Sequence, residues 1–122
     1  MFALKIVTDF ASAHSLRNYP GDCSRLHGHN WGVEVSVCSE VLNDMGIAID
    51  FREIKNQTKA VAKRLDHQYL NEIQPFDVLN PTAENIAKYI FDEVGLLINT
   101  KDVKVKEVTI WETARSAVTY SQ

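Results

Sequence analysis

The sequence predicts an α+β domain in which an antiparallel four-stranded sheet carries two helices on one face. Two kinds of periodicity lead there. Polar and apolar residues alternate, at the period of a strand, through 2–10, 29–39, 103–111 and 115–120. Between them, apolar residues recur at helical spacing in two stretches, one opening at Asp50 and one around Asn80 to Thr82. The order of strands before and after a pair of helices favours hairpins over a doubly wound parallel sheet. A chain of 122 residues, 45% of them hydrophobic, is enough for one domain spanning 1–122 with one modest core.

In the first strand Leu4, Ile6, Thr8 and Phe10 share a face, with Lys5, Val7 and Asp9 opposite. Residues 14–26 read as a loop, since Asn18, Tyr19, Pro20, Gly21 and Asp22 are turn formers. Trp31, Val33, Val35 and Val37 share a face of the second strand. Asn43 to Gly46 marks a turn, and Ile47 to Ile49 is expected to begin a short strand. Asp50 is placed to cap the first helix, with Glu53 at the reciprocal capping-box position. Phe51, Ile54, Val61 and Leu65 form its buried stripe, and it should end near Leu65 or Asp66. Pro75 argues against a regular element in 66–80. Pro81 suits a first helical turn, with Asn80 or Thr82 as the cap. Ile86, Ile90 and Val94 give the second helix its stripe; Gly95 ends it, or it continues through Ile98. In the third strand Val103, Val105, Glu107, Thr109 and Trp111 alternate against Lys104, Lys106, Val108 and Ile110. An open sheet of this kind leaves two free edges, which points to subunit pairing.

Composition narrows the partners. The formal net charge is -3 and 24% of residues are charged. Duplex nucleic acid is not an expected partner, because its binders carry a basic excess. No apolar run approaches the roughly 20 residues that span a bilayer, so no membrane partner is expected. The opening MFALKIVTDF lacks the pattern of an export signal. A reduced cytoplasmic setting therefore fits Cys23 and Cys38 better than a disulfide between them.

The chemistry gathers around histidines. His27 and His29 are two apart, so an extended chain points both to one face. A hairpin pairing residues near 10 with residues near 31 brings His14 beside them. Imidazoles suit zinc, and three histidines with an open fourth position describe a catalytic site rather than a closed structural one. Cys23 lies four residues before His27. It is either a fourth ligand or a thiolate base beside the metal. Asp66 precedes His67, and a carboxylate can orient an imidazole and stabilise its charged form. Glu112, after Trp111, can accept two hydrogen bonds from a guanidine-like ring edge or stand as a solvated strand end. Cys38 reads as a small residue of the sheet.

These residues, in this order, resemble the 6-pyruvoyl-tetrahydropterin and 6-carboxy-tetrahydropterin synthase family along nearly the whole chain. The carrying motifs are His14, Cys23 through Asn30 with its His-Gly-His, Ile49-Asp50-Phe51, Leu65-Asp66-His67, Leu70-Asn71, Pro81 to Asn85, and Glu112-Thr113 followed by Tyr120. The resemblance implies the tunnelling fold (T-fold), with sheets of several subunits joined into a barrel, typically a hexamer built as a dimer of trimers with active sites at subunit interfaces. It implies zinc on His14, His27 and His29, proton transfer by Cys23, Asp66 and His67, a pterin anchored by Glu112, and Thr82 near the ring. The implied substrate is 7,8-dihydroneopterin triphosphate.

Within the family, the short Cys-Ser-Arg-Leu-His spacing looks like the bacterial branch of 7-deazaguanine and queuosine biosynthesis. That branch makes 6-carboxy-5,6,7,8-tetrahydropterin and releases acetaldehyde and triphosphate. The alternatives are a pyruvoyl-forming synthase, which eliminates triphosphate only, and a non-catalytic zinc- or pterin-binding protein. A folate-linked branch places glutamate where this chain has Ser24. For the triphosphate, Arg17, Arg25 and Arg115 are the candidate contacts.

Overall fold

A computed structural model describes all residues, 1–122. The elements are β1 (Phe2–His14), β2 (His27–Ser39), α1 (Phe51–Leu65), α2 (Ala83–Ile98), β3 (Val103–Thr113) and β4 (Ser116–Ser121). Short 3₁₀ turns lie at Asp22–Ser24 and Leu70–Glu72. The strands form one antiparallel sheet in the order β1-β2-β3-β4, and both helices pack on one face of it. Trp31, Val33, Val35 and Val37 from β2 meet Ile54, Val61 and Leu65 from α1 and Ile86, Ile90 and Val94 from α2 in one core. Each such side chain, fully buried, contributes about 1.5–3 kcal/mol relative to exposure.

The β1–β2 hairpin is in the register the alternation implies: Phe10 faces Trp31 and His14 faces His27. It is longer than expected, because β1 runs on to His14 rather than stopping at Phe10. Two partners hold that extension. Residues 27–30 pair with it on one edge. On the other, Ala11 O accepts from His67 N at 2.6 Å and Ala13 N donates to Gln68 O at 2.9 Å.

The short strand expected at Ile47–Ile49 does not form. The Asn43 side chain accepts from Met45 N and Ile47 N at 2.9 and 3.0 Å, and Asn43 N donates to Ile47 O, so the backbone groups of Ile47 are satisfied inside a turn. Asp50 does cap α1, accepting from Arg52 N at 2.8 Å. The reciprocal bond from Glu53 is not made; Asp50 instead pairs with the Arg52 guanidinium at 2.8 Å. Phe51 is exposed rather than part of the stripe, and Thr58 occupies the buried turn in the middle of the helix. In α2 the cap is Thr82, which accepts from Asn85 N at 3.1 Å; Pro81 stands outside the helix, and the helix continues past Gly95 to Ile98.

The third strand departs most from its expected faces. Val103 and Val105 are buried, but so are Val108 and Ile110, which simple alternation would put on the opposite face. A β-bulge explains the switch. Ser36 pairs with Glu107 and Val37 with Val105, leaving Lys106 unmatched, so the side-chain parity inverts there. A second irregularity leaves Glu112 unmatched between Trp111 and Thr113. The first bulge puts residue 112 on the helix-bearing face, the face of the histidines.

Candidate metal centre and active site

His14, His27 and His29 project from the end of the β1–β2 hairpin onto one face, and Glu112 reaches them from β3. One donor atom from each lies within 4.8 Å of all the others, so these four side chains can hold a metal ion. The rings are oriented from behind. His14 Nδ1 donates to Pro81 O at 2.7 Å, and His27 Nδ1 donates to Arg25 O at 2.7 Å. A carbonyl has no proton to give, so in each neutral ring the proton is on Nδ1 and Nε2 carries the lone pair. Yet His14 Nε2 and His27 Nε2 are only 3.0 Å apart. Two lone pairs at that distance repel unless a cation lies between them. His29 Nε2 is buried with no hydrogen-bond partner. An orphaned nitrogen beside two facing lone pairs fits a metal better than a hydrogen-bond network.

Burial pushes the His14 imidazole below its ordinary pKa, against the opposing bond to Pro81, and the neighbouring His27 and His29 add to the lowering. Burial lowers His29 too, against the pull of Glu112. Both effects favour the neutral ring that a metal requires. Trp31, wholly buried, forms the floor, edge-on to His14 and His29 with centroids 4.9 and 5.2 Å away.

Beside the cluster lies a cavity of about 320 Å³ lined by His14, Tyr19, Thr82, Glu112 and Val118 among others. Thr82 and Glu112, both expected near a ring-shaped ligand, thus share one pocket with a histidine of the cluster. Thr82 Oγ1 is used as an acceptor by the helix cap, which leaves its O–H free to donate.

Asp66 and His67 do meet. His67 Nδ1 is 2.8 Å from Asp66 Oδ2, and Asp66 Oδ1 accepts from Ala11 N at 2.9 Å. The Ala11 N–H, then His67, hold the Asp66 carboxyl below its ordinary pKa. Adjacent side chains can touch here because His67 takes a left-handed backbone, φ 56°, a conformation uncommon outside glycine. The ring is largely exposed and lines a groove of about 520 Å³ that His29 also borders. Cys23, in the 3₁₀ turn, belongs to neither group: the fourth donor beside the histidines is a Glu112 oxygen, not its sulfur. Its carbonyl accepts from Leu16 N at 2.8 Å, which closes the loop.

The supporting roles of several residues were not evident from the sequence. Asn71 accepts from Ser15 N and donates to Ser15 O, at 2.9 and 2.8 Å. Asn80 does the same for Arg17, at 2.9 and 3.3 Å. Each amide imitates a strand partner and fixes the chain leaving His14. Arg17 spends its guanidinium on the carbonyls of Phe76, Leu79 and Asn71, so it is a structural clamp rather than a free anion contact. Arg25 and Arg115 remain exposed. Trp31, the floor of the cluster, did have a usable signal for its role, its place two residues after His29 on the same face.

The family described as 6-pyruvoyl tetrahydropterin synthase matches residues 3–122. The chain belongs to that family. It is a tetrahydropterin synthase of the 6-carboxy or 6-pyruvoyl type, and its tunnelling fold is shared by a solved relative. The structure of the Caenorhabditis elegans 6-pyruvoyl tetrahydropterin synthase superposes with a TM-score of 0.88 at 26% identity, covering 99% of this chain and 95% of that one. The synthase is 30% identical to the 6-carboxy-5,6,7,8-tetrahydropterin synthase of Aquifex aeolicus, over 82% of this chain and 76% of the relative. It is 33% identical to the 6-pyruvoyl tetrahydrobiopterin synthase of Drosophila melanogaster, over 82% of this chain and 61% of the relative. Overall identity therefore does not choose between the two products. No helix is long and apolar enough to cross a membrane.

Proposed function

We propose that this synthase is zinc-dependent and converts 7,8-dihydroneopterin triphosphate and water to 6-carboxy-5,6,7,8-tetrahydropterin, acetaldehyde and triphosphate, in the cytoplasm, as a step toward 7-deazaguanines such as queuosine. The observation that carries the reading is the convergence of His14, His27 and His29 beside a pocket lined by Thr82 and Glu112. The choice of zinc rests on the all-imidazole set, which suits that metal. The carboxy branch is favoured by the short segment 15–26 between β1 and β2.

In this reading His14, His27 and His29 are the ligands. Bound there, zinc supplies a Lewis acid for the hydroxyl oxygens of the substrate side chain. Glu112 accepts two hydrogen bonds from the guanidine-like edge of the ring, and the Thr82 hydroxyl donates to it. Cys23 takes a proton from a side-chain carbon and returns one later. His67, oriented by Asp66, exchanges protons with that position. Arg25 and Arg115 are left as contacts for the triphosphate.

The proton-transfer set is completed between subunits. Asp66 and His67 face outward, and the outer edges of β4 and of the first part of β1 have no strand partner within the chain. Sheets joined edge to edge close a barrel, and a hexamer made of two trimers is the assembly we assign. Light scattering should give a multiple of three chains; a fully active monomer would end the assignment.

Incubation of the zinc-loaded protein with dihydroneopterin triphosphate tests the whole reading. Carboxy-tetrahydropterin with stoichiometric acetaldehyde is expected. A pyruvoyl product without acetaldehyde would move the chain to the other branch. No turnover by assembled, metal-loaded protein would leave a binding protein.

A further inference from the structure

We propose that Glu112 is itself a ligand of the resting metal, so that the residue assigned to the pterin closes the centre until a pterin draws it away. This rests on the metal reading above and adds to it a fourth donor that the histidine pattern does not contain.

The distances point to it. Four ligands placed tetrahedrally at Zn–N bonds of about 2.0–2.1 Å stand about 3.3 Å from one another. His14 Nε2 to His27 Nε2 is 3.0 Å, His29 Nε2 to Glu112 Oε1 is 3.3 Å, and His14 Nε2 to Glu112 Oε1 is 3.6 Å. These three of the six donor-to-donor distances bracket the edge of that tetrahedron, and all six lie within 4.8 Å. The contacts are not a hydrogen-bond network in disguise. His29 Nε2 makes no hydrogen bond, although the Glu112 oxygen is 3.3 Å away. His14 has its ring proton committed to Pro81 O on the other side. His14 and His27, whose ring protons are committed to carbonyl oxygens, therefore turn bare nitrogens toward a third imidazole nitrogen and a carboxylate, an arrangement that a cation among them stabilises.

The bulges of β3 give this a structural cause. Glu112 is the unmatched residue at the second irregularity, and the first has already turned position 112 to the histidine face. Bulges re-aim side chains, and here one re-aims a carboxylate. Glu112 is also half-buried and borders the cavity beside the cluster, so the same side chain can turn from the histidines to a ligand there. The pterin ring edge occupies both carboxylate oxygens, so holding the ring and ligating the metal exclude each other. The substrate thus opens the metal by taking its fourth ligand, and the centre is sealed against stray ligands when no pterin is present.

The exclusion is a thermodynamic coupling and runs both ways. The test uses pterin itself, which carries the ring edge but no side-chain hydroxyls that could bind metal. Zinc affinity is measured against a chromophoric chelator, and the ligand-field bands of the cobalt(II)-loaded protein are recorded. Three results are expected: E112Q weakens zinc at least tenfold, saturating pterin weakens zinc in the wild type but not in E112Q, and pterin shifts the cobalt bands of the wild type. Wild-type zinc affinity and an unchanged cobalt spectrum in folded E112Q would overturn this proposal while leaving the histidine centre standing. A wild-type protein that takes up neither zinc nor cobalt would overturn both.

Discussion

The histidine cluster and the Cys23–Asp66–His67 set differ in how far one chain completes them. The first is assembled by local register. His14 and His27 are direct partners in a hairpin, His29 is two residues on, and Glu112 arrives from β3, the strand paired with the other edge of β2. Its donors lie within 4.8 Å of one another. The second set is in two pieces. Asp66 and His67 form an outward-facing pair against β1, and Cys23 sits apart in a 3₁₀ turn. A binding centre is thus built into the monomer, whereas the proposed proton relay is left for assembly to complete. On this account metal binding should survive dissociation of the subunits and turnover should not.

The largest effect separates the two regions from the metal side. H29A removes one of three imidazoles, and metal retention should fall by more than the roughly 10–100-fold typical of losing a group that only orients a ligand. Metal analysis after dialysis checks this, with H67A as the contrast that keeps its metal. Equal metal in H29A and the wild type would break the distinction.

From the other side, C23A should keep its zinc and its assembly and lose about 10²–10⁴-fold in turnover, the usual range for an acid–base group. A metal titration beside a single-turnover assay reads both. Loss of zinc in C23A would instead make the cysteine a ligand and merge the two regions into one.

How much of this was legible follows the same line. The histidine face could be read because strand alternation and a turn-rich segment fix a hairpin, and a hairpin fixes which side chains meet. The bulge at Lys106 could not be read, since nothing in Val103 to Trp111 announces an unmatched residue; the expected faces of Val108 and Ile110 were inverted for that reason. Pro81 carries a carbonyl that orients His14 from 67 positions away, and only the packing of α2 on the sheet brings it there. The Asp66–His67 contact depends on a left-handed backbone at a non-glycine residue, which composition does not signal.

A smaller effect concerns acid. Burial lowers the His14 and His29 imidazoles below their ordinary pKa in the metal-free fold. As pH falls below the ordinary histidine value of about 6.5, the unfolded chain takes up protons that the fold refuses, so stability should decline from there downward. Asp66, held below its ordinary value, acts in the same sense lower down. Its contribution is whole above about 3.9 and is lost as pH falls through the folded value. Urea midpoints of the metal-free protein at successive pH values should show the fall, with a shallower slope in H29A. A slope unchanged by H29A would detach the effect from the cluster.

The smallest expected change is T82A, which removes the α2 cap and should cost about 1 kcal/mol in urea unfolding without changing metal content. Metal loss in T82A would mean that the helix end positions the histidines more strongly than Pro81 alone accounts for.

A single chain should carry a metal centre at the end of its first hairpin. Anomalous diffraction at the zinc edge from zinc-loaded crystals should show one peak per chain among His14 Nε2, His27 Nε2 and His29 Nε2. A peak elsewhere, or none while the three rings keep these positions, would rule the centre out.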